Sequence, residues 1–305
     1  FRLVLQFSLP LFCSNLLQQV YNLTDTALAG HLLGSAALAE IGATAALYGL
    51  IMNFAFGMNN GLALTVSRCF GAGEREGIRR AVGWMVTLSA AVSIVLTAVS
   101  LLGRGALLQV LQVPAEVWDG AAAYLTVILL GIPLTMLYNM EAALLRAVGN
   151  SVTPLLFLLF SSVLNVGLDA AFMGPLGMGV RGAAVATVLA QGISAVLGAV
   201  YLVRSYPELH FTPAHFKKST RRAVMNMFWA GMSMGLMSAI YNLGSVALQS
   251  SINALGSVYI TAQTAARRMA EMYFIPGGAL GISVATFSSQ NLGAGRRSRI
   301  GQSVR

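Results

Sequence analysis

Charged residues are scarce in this sequence. Only 10% of its 305 residues are Asp, Glu, Lys or Arg, whereas soluble domains carry about 25%. Hydrophobic residues make up 56%, and the mean hydropathy is +0.72. This composition excludes an ordinary soluble domain and indicates an integral membrane protein.

Cysteine and histidine are also scarce, with two and three residues. Cys13 and Cys69 fall in or beside apolar segments, where we expect them to be small buried side chains. The histidines fall in loops or at helix ends, without the clustering with Cys or acids that metal ligands need. We therefore expect no metal site and no bound cofactor.

The uncharged runs have the length of membrane-spanning helices, which need about 20 apolar residues. They cover residues 3–24, 41–67, 81–103, 120–140, 147–168, 182–203, 223–266 and 272–295. The run 223–266 is too long for one helix, and it contains a turn-like segment at 253–257. We therefore predict an all-α membrane protein with eight transmembrane helices, the last of which starts near Val258.

The net charge of +9 is distributed as in a membrane protein. With the N-terminus inside, fifteen of the nineteen Lys and Arg residues fall in cytoplasmic segments, among them Arg146 and those in 204–222 and 296–305. An excess of Lys and Arg on the cytoplasmic side is the usual orientation signal. The charge therefore predicts a cytoplasmic N-terminus in a multi-pass protein and implies no nucleic acid.

Two short motifs recur far along the chain. Tyr-Asn-Leu at 21–23 returns at 241–243, and Gly-Ala-Gly at 71–73 returns at 293–295, which is 220 and 222 residues later. Six predicted helices lie between equivalent points, so the two units have the same orientation in the membrane. Parallel repeats of this kind are known in transporters.

The repeat divides the sequence into three parts. We expect a six-helix N-terminal lobe over 1–204, a cytoplasmic loop over 205–222 and the first two helices of a C-terminal lobe over 223–305. Because the second unit contains only two helices and the chain opens on Phe1, we expect the sequence to be a fragment.

Two carboxylates inside predicted helices, Asp25 and Asp169, are candidate functional residues, because a buried charge is costly in a membrane. At about 1.5 Å per residue, both lie in the outer half of the membrane, as does Thr187. Asn165 is one turn from Asp169 on the same helix face. Each residue also has a structural explanation, such as a hydrogen bond near a helix end or contact with the outer water. Their conjunction favours a polar cluster in which two carboxylates hold a proton.

Other residues are candidates for supporting roles. Pro10 removes a backbone hydrogen bond from the first helix and favours a kink, either static or mobile. Tyr21, one turn before Asp25, is a candidate cavity residue. Arg267 and Glu271 are spaced as an i,i+4 ion pair on the last helix, facing a cavity or the outer water.

Several segments resemble the multidrug and toxic compound extrusion (MATE) transporters. They are residues 9–10 and 21–26, 145–150 with 153–154, 164–169, 179–187 and 289–295. Together they extend over essentially the whole chain, and they are most similar to the DinF-like bacterial branch.

The resemblance implies a monomeric antiporter of twelve helices in two six-helix lobes, located in a bacterial cell membrane. Such a protein exports lipophilic or cationic drug-like compounds in exchange for a cation. The resemblance assigns ion coupling to Asp25, Asp169, Asn165 and Thr187, and bending of the first helix to Pro10.

The coupling ion and the class of function have alternatives. Some relatives have a carboxylate in the seventh helix, but residues 223–254 contain none, which favours H+ over Na+. A flippase for lipid-linked oligosaccharides would need a cationic cavity, and the predicted helices 1–7 have almost no internal Lys or Arg. A membrane protease using Asp25 and Asp169 would not explain the repeat, so we do not expect an enzyme.

Overall fold

The structure is a computed structural model that describes residues 2–217, 219–253 and 257–304, without some of the side chains between 242 and 272. In these ranges the regular structure is helical. The α-helices described are α1 (Arg2–Leu33), α2 (Ser35–Gly71), α3 (Arg75–Leu102), α4 (Arg104–Val110), α5 (Trp118–Ala147), α6 (Val152–Met173), α7 (Val180–Ser205), α8 (Pro213–Lys217), α9 (Arg221–Asn253), α10 (Ser257–Gly293) and α11 (Arg297–Val304).

Seven helical segments among the described residues are long and apolar enough to cross a membrane. They are α1, α2, α3, Ala115–Ala147, α6, α7 and Arg221–Tyr241. The predicted all-α membrane fold is therefore confirmed. The eighth predicted helix is α10, which begins one residue before Val258. Residues 254–256 of the predicted turn lie outside the described ranges.

The helix ends at Gly71 and Gly293 have the same structure. In both turns the second glycine, Gly73 or Gly295, donates its amide to the carbonyl three residues earlier, at 3.0 and 3.2 Å. The next amide donates to the carbonyl five residues earlier, at 3.2 and 2.8 Å. Gly73 and Gly295 have φ values of 69° and 71°, a left-handed conformation that glycine adopts without steric cost. The sequence repeat of 222 residues is thus also a structural repeat at this point.

The N-terminal helices pack around α5. One face of α5 contacts α2 and α3, the other contacts α7, and α6 lies between α1 and α7. The buried core comprises large apolar side chains of α2, α3 and α5, among them Met58, Leu62, Met85, Leu125 and Leu129. This arrangement places α1, α6 and α7 side by side, which positions the candidate site.

The predicted inter-lobe loop is partly ordered by aromatic contacts. It contains α8, and Phe216 of α8 lies edge-on to Trp84 of α3, with ring centroids 5.2 Å apart. Phe211 lies edge-on to Phe216 at 6.0 Å. The loop therefore packs against the bundle, while the division into lobes at 204 and 223 stays a prediction.

Candidate functional site

Asp25 of α1 and Asp169 of α6 face each other. Their carboxyl groups lie close enough to interact directly, and Asp169 is 0% exposed. Among the described residues, neither Asp169 oxygen nor the Oδ1 of Asp25 has a hydrogen-bond donor. Ionised carboxylates only accept hydrogen bonds, so this contact is satisfied when one carboxyl holds a proton or when a small cation binds both. The pair therefore has the chemistry of an ion-binding site.

The hydroxyl of Thr187 in α7 hydrogen-bonds to Tyr21 and Asn165, each one helical turn from an aspartate of the pair. It accepts long hydrogen bonds from the Tyr21 hydroxyl, at 3.5 Å, and from Nδ2 of Asn165, at 3.4 Å. It donates to the carbonyl oxygen of Ala183 at 3.0 Å. The Oδ1 of Asn165 is buried without a donor in the described part of the chain. An ion-binding site could therefore draw on this amide oxygen as well as on the carboxylates.

The structure thus brings five of the predicted residues together on three helices: Tyr21 and Asp25 on α1, Asn165 and Asp169 on α6, and Thr187 on α7. The regular rise of a helix makes such depths predictable, because one residue advances the chain by about 1.5 Å. Their role in ion coupling stays a prediction.

The other predicted residues lie elsewhere. Pro10 lies within α1, which continues through it as a helix, and Ser14 donates its hydroxyl to the Pro10 carbonyl at 2.8 Å. A hinge at Pro10 stays a prediction. Arg267 and Glu271 belong to α10, but their side chains are outside those that the structure describes.

Tyr48, Tyr124 and Gln191 lie near this cluster and are absent from the predicted set. Tyr48 of α2 lies close to Gln191 of α7, whose Oε1 accepts a 2.6 Å hydrogen bond from Thr135. Tyr48 and Tyr124 both lie close enough to Asp25 to feel the charge of its carboxylate. In the sequence they are uncharged residues of apolar helices, so only their hydroxyl and amide groups distinguish them from ordinary core residues.

A cavity of about 540 Å³ opens beside Asp25. Its volume suits a drug-sized molecule, since such sites measure roughly 300–1,000 Å³. The lining is mainly amide, hydroxyl and aromatic side chains, including Asn22, Asn53, Tyr48, Tyr124, Tyr138 and Phe56. Among the described lining residues, Asp25 is the anionic one and Arg146 the cationic one. The described part of the lining therefore lacks the several cations that a flippase for lipid pyrophosphates would need.

Arg146 is a buried cation. It is only 8% exposed, within the last turn of α5. The cytoplasmic position that the charge pattern assigns to it stays a prediction. Its Nη2 donates to Oδ1 of Asn60 at 3.2 Å, and its guanidinium lies 5.6 Å from the ring centroid of Phe56. The amide and the aromatic face replace part of the guanidinium's contact with water, while its Nε has no partner among the described residues.

A bundle of membrane-spanning helices with a buried acid pair beside a cavity is a construction that membrane transporters use. The family comparison agrees with this class. The model of the MatE family matches residues 10–171, more than half of the chain. The chain therefore belongs to the MatE family, as the sequence motifs predict.

Individual relatives cover the chain almost completely. The protein described as Probable multidrug resistance protein YpnP of Bacillus subtilis (strain 168) is 30% identical over 294 residues, which are 96% of this chain and 65% of that protein. The chain thus spans slightly less than two thirds of the length of this curated relative.

Solved structures support the fold. A MOP superfamily transporter from Pyrococcus furiosus superposes with a TM-score of 0.87 at 24% identity, over 99% of this chain and 67% of that one. The outward-facing structure of a multidrug resistance MATE family transporter gives the same TM-score at 23% identity, with the same coverage. At these identities the likeness concerns the fold alone.

Proposed function

We propose that the protein functions in the export of lipophilic, cationic drug-like compounds across a bacterial cell membrane, in exchange for protons. The observation that carries this proposal is the Asp25–Asp169 pair. Both oxygens of Asp169 and the Oδ1 of Asp25 lack donors among the described residues, and Asp25 lines a cavity of about 540 Å³. A relative described as a probable multidrug resistance protein supports the substrate class.

In this mechanism the proton and the substrate compete for the same negative charge. When the pair is ionised, Asp25 is the anionic group of the described cavity lining and attracts a cationic compound. A proton that arrives from outside neutralises the pair and removes this attraction, so the compound leaves. Exchange requires that the two ligands favour different states of the carrier, because a ligand shifts an equilibrium only by its differential affinity.

The element that responds is α1. It carries Asp25 and Tyr21, and both reach across to α6 and α7 through Asp169 and Thr187. Protonation of the pair changes this contact between α1 and the rest of the lobe. Pro10 weakens the backbone of the same helix and is the proposed position at which α1 bends.

Na+ is the alternative coupling ion. Carboxylate, amide and hydroxyl oxygens are the ligands that hard cations prefer, and the uncompensated Oδ1 of Asn165 would add one to those of the aspartates. The absence of a carboxylate in residues 223–254 favours the proton.

The proposal is tested with vesicles that contain the protein and have an imposed pH gradient. Efflux of a fluorescent lipophilic cation is measured with and without Na+, for the wild type and for Asp25→Asn. The matched control is Asp119→Asn, an exposed acid in the first turn of α5.

The wild type and the control are expected to export the dye when only the pH gradient is present, whereas Asp25→Asn does not. If export needs a Na+ gradient, Na+ is the coupling ion instead of the proton, and the proposed site is unchanged. Export by Asp25→Asn at the wild-type rate would contradict the proposed coupling.

A further inference from the structure

The described part of the chain contains another deeply buried acid that the proposed mechanism does not use. Glu141 of α5 is only 4% exposed, and its Oε1 has no hydrogen-bond partner among the described residues. Its Oε2 points at Gly198 of α7, where a Cβ atom would overlap with the carboxyl group. The carboxyl group therefore occupies space that a glycine leaves free between α5 and α7.

A second unpartnered polar group faces the same space. Ser194 is 1% exposed, and its hydroxyl has no partner in the described part of the chain. Ser194, Glu141 and Tyr138 line one small cavity of about 10 Å³. The carboxyl and hydroxyl groups thus converge on a volume that suits a proton or one water molecule.

The surrounding groups do not neutralise a charge on Glu141. On α5 the nearby titratable groups are Tyr138 and Arg146, and the guanidinium of Arg146 is hydrogen-bonded to Asn60 instead. On α6 the lining residues Pro154 and Phe157 do not ionise, and on α7 the nearest titratable group is Tyr201, which packs against Phe157. Within the described residues Glu141 has no ion pair, so a carboxylate would lie there uncompensated, which is costly in a membrane.

A line of small and polar residues runs along α7 from Thr187 towards this acid. Thr187, Gln191, Ser194 and Gly198 are spaced by three or four residues and form one buried face of α7. Opposite them, α5 contributes Thr135, Tyr138 and Glu141, and Thr135 donates to Gln191 at 2.6 Å. The line begins at Thr187, which accepts from Tyr21 and Asn165. Ser194 lies about 10 Å further along the helix axis. It leads towards the end of the bundle at which α5 ends at Ala147.

We propose that Glu141 is a second proton-binding carboxyl and that the α5–α7 polar line carries the proton between it and the Asp25–Asp169 pair. In this transfer the pair loses one proton, the Glu141 carboxylate gains it, and water at the inner end of the bundle then accepts it. The transfer route rests on the proposed proton coupling. The protonation of Glu141 does not rest on it.

Infrared difference spectra of the purified protein, recorded between acidic and alkaline pH, test the binding site directly. A protonated carboxyl has a C=O stretching band that an ionised one lacks, and the band shifts in deuterated water. The wild type is expected to show a band that disappears in Glu141→Gln and persists in Glu116→Gln, which removes an exposed acid. Identical spectra for Glu141→Gln and the wild type would overturn the proposal.

Two gentler variants keep the test decisive if Glu141→Gln does not fold. Ser194→Ala removes the neighbouring hydroxyl, and Gly198→Ala places a methyl group where the carboxyl lies. Each is expected to shift the frequency of the Glu141 band. An unshifted band in both variants would contradict the site.

Transport assays separate this inference from the proposed function. If the wild type shows the Glu141 band but no proton-driven export, the proposed function fails and the proton site stands. If proton-driven export is as fast in Glu141→Gln as in the wild type, the α5–α7 route is wrong and the Asp25–Asp169 coupling stands.

Discussion

Gly71 and Gly293 make reciprocal contacts between the two repeats. A Cβ atom on Gly71 would collide with the carbonyl oxygen of Gln290, and a Cβ atom on Gly293 would collide with that of Arg68. The two partners are themselves 222 residues apart, as are the two glycines. The ends of α2 and α10 at these glycines therefore pack backbone against backbone, which the absence of side chains at Gly71 and Gly293 permits. Gln290 also donates through Nε2 to the carbonyl oxygen of Ala147 at 2.8 Å, so the end of α5 contacts α10 at the same place.

Gly71→Ala is expected to open this end of the bundle, because the added methyl group cannot fit against the backbone of α10. The measurement is the labelling rate of a cysteine introduced at Ser151, a residue lining the adjacent cavity of about 670 Å³, in a protein without Cys13 and Cys69. The control is Gly42→Ala, where a Cβ atom meets nothing within 4 Å. Faster labelling is predicted for Gly71→Ala alone. Equal rates in both variants would show that the packing of α2 against α10 does not close this end of the bundle.

Thr187→Val keeps the side-chain shape and removes the hydroxyl that accepts from Tyr21 and Asn165. Both donors are then left without this acceptor in a buried site, which costs about 1–3 kcal/mol for an unsatisfied group. The midpoint of thermal unfolding in detergent is expected to fall relative to the wild type. Thr87→Val is the control, because the Thr87 hydroxyl bonds to the Gly83 carbonyl of its own helix at 2.9 Å. Equal midpoints for the two valine variants would show that the Thr187 contacts contribute nothing.

Arg146→Lys is expected to destabilise the protein although the charge is kept. Lysine lacks the planar fork that bonds Asn60 and lies over Phe56, and hydrogen bonds to charged groups contribute about 1.5–3 kcal/mol. The measurement is again thermal unfolding in detergent, with the exposed Arg204→Lys as the control. The account of Arg146 requires a lower midpoint for Arg146→Lys than for Arg204→Lys.

The sequence predicts the helices and the acid cluster for simple physical reasons. Charges are costly in a membrane, so uncharged runs locate the helices, and the fixed rise per residue gives the relative depths of Asp25, Asp169 and Thr187. Contacts between residues of different helices could not be predicted in this way. Tyr48 and Gln191 belong to α2 and α7, and their contact depends on helix rotation, which uncharged runs do not encode.

The burial of Glu141 and Arg146 was not predicted because the uncharged runs 120–140 and 147–168 end on either side of them. Charges at the end of a run look like interfacial charges. The helix α5 nevertheless continues to Ala147, and both side chains turn inward, one to Gly198 and the other to Asn60. A small residue and an amide on neighbouring helices thus make room for charges that the run lengths alone assign to the surface.

In the proposed mechanism, proton and substrate compete at the Asp25–Asp169 pair. This competition is tested most directly by measuring the affinity of the purified protein for a fluorescent lipophilic cation as a function of pH, for the wild type, Asp25→Asn and Asp119→Asn. Since only the ionised pair attracts the cation, affinity is predicted to rise with pH in the wild type and in Asp119→Asn, and to be low and independent of pH in Asp25→Asn. Proton release into weakly buffered solution should accompany binding in the first two proteins. The same rise of affinity with pH in Asp25→Asn, with the same proton release, would contradict this mechanism.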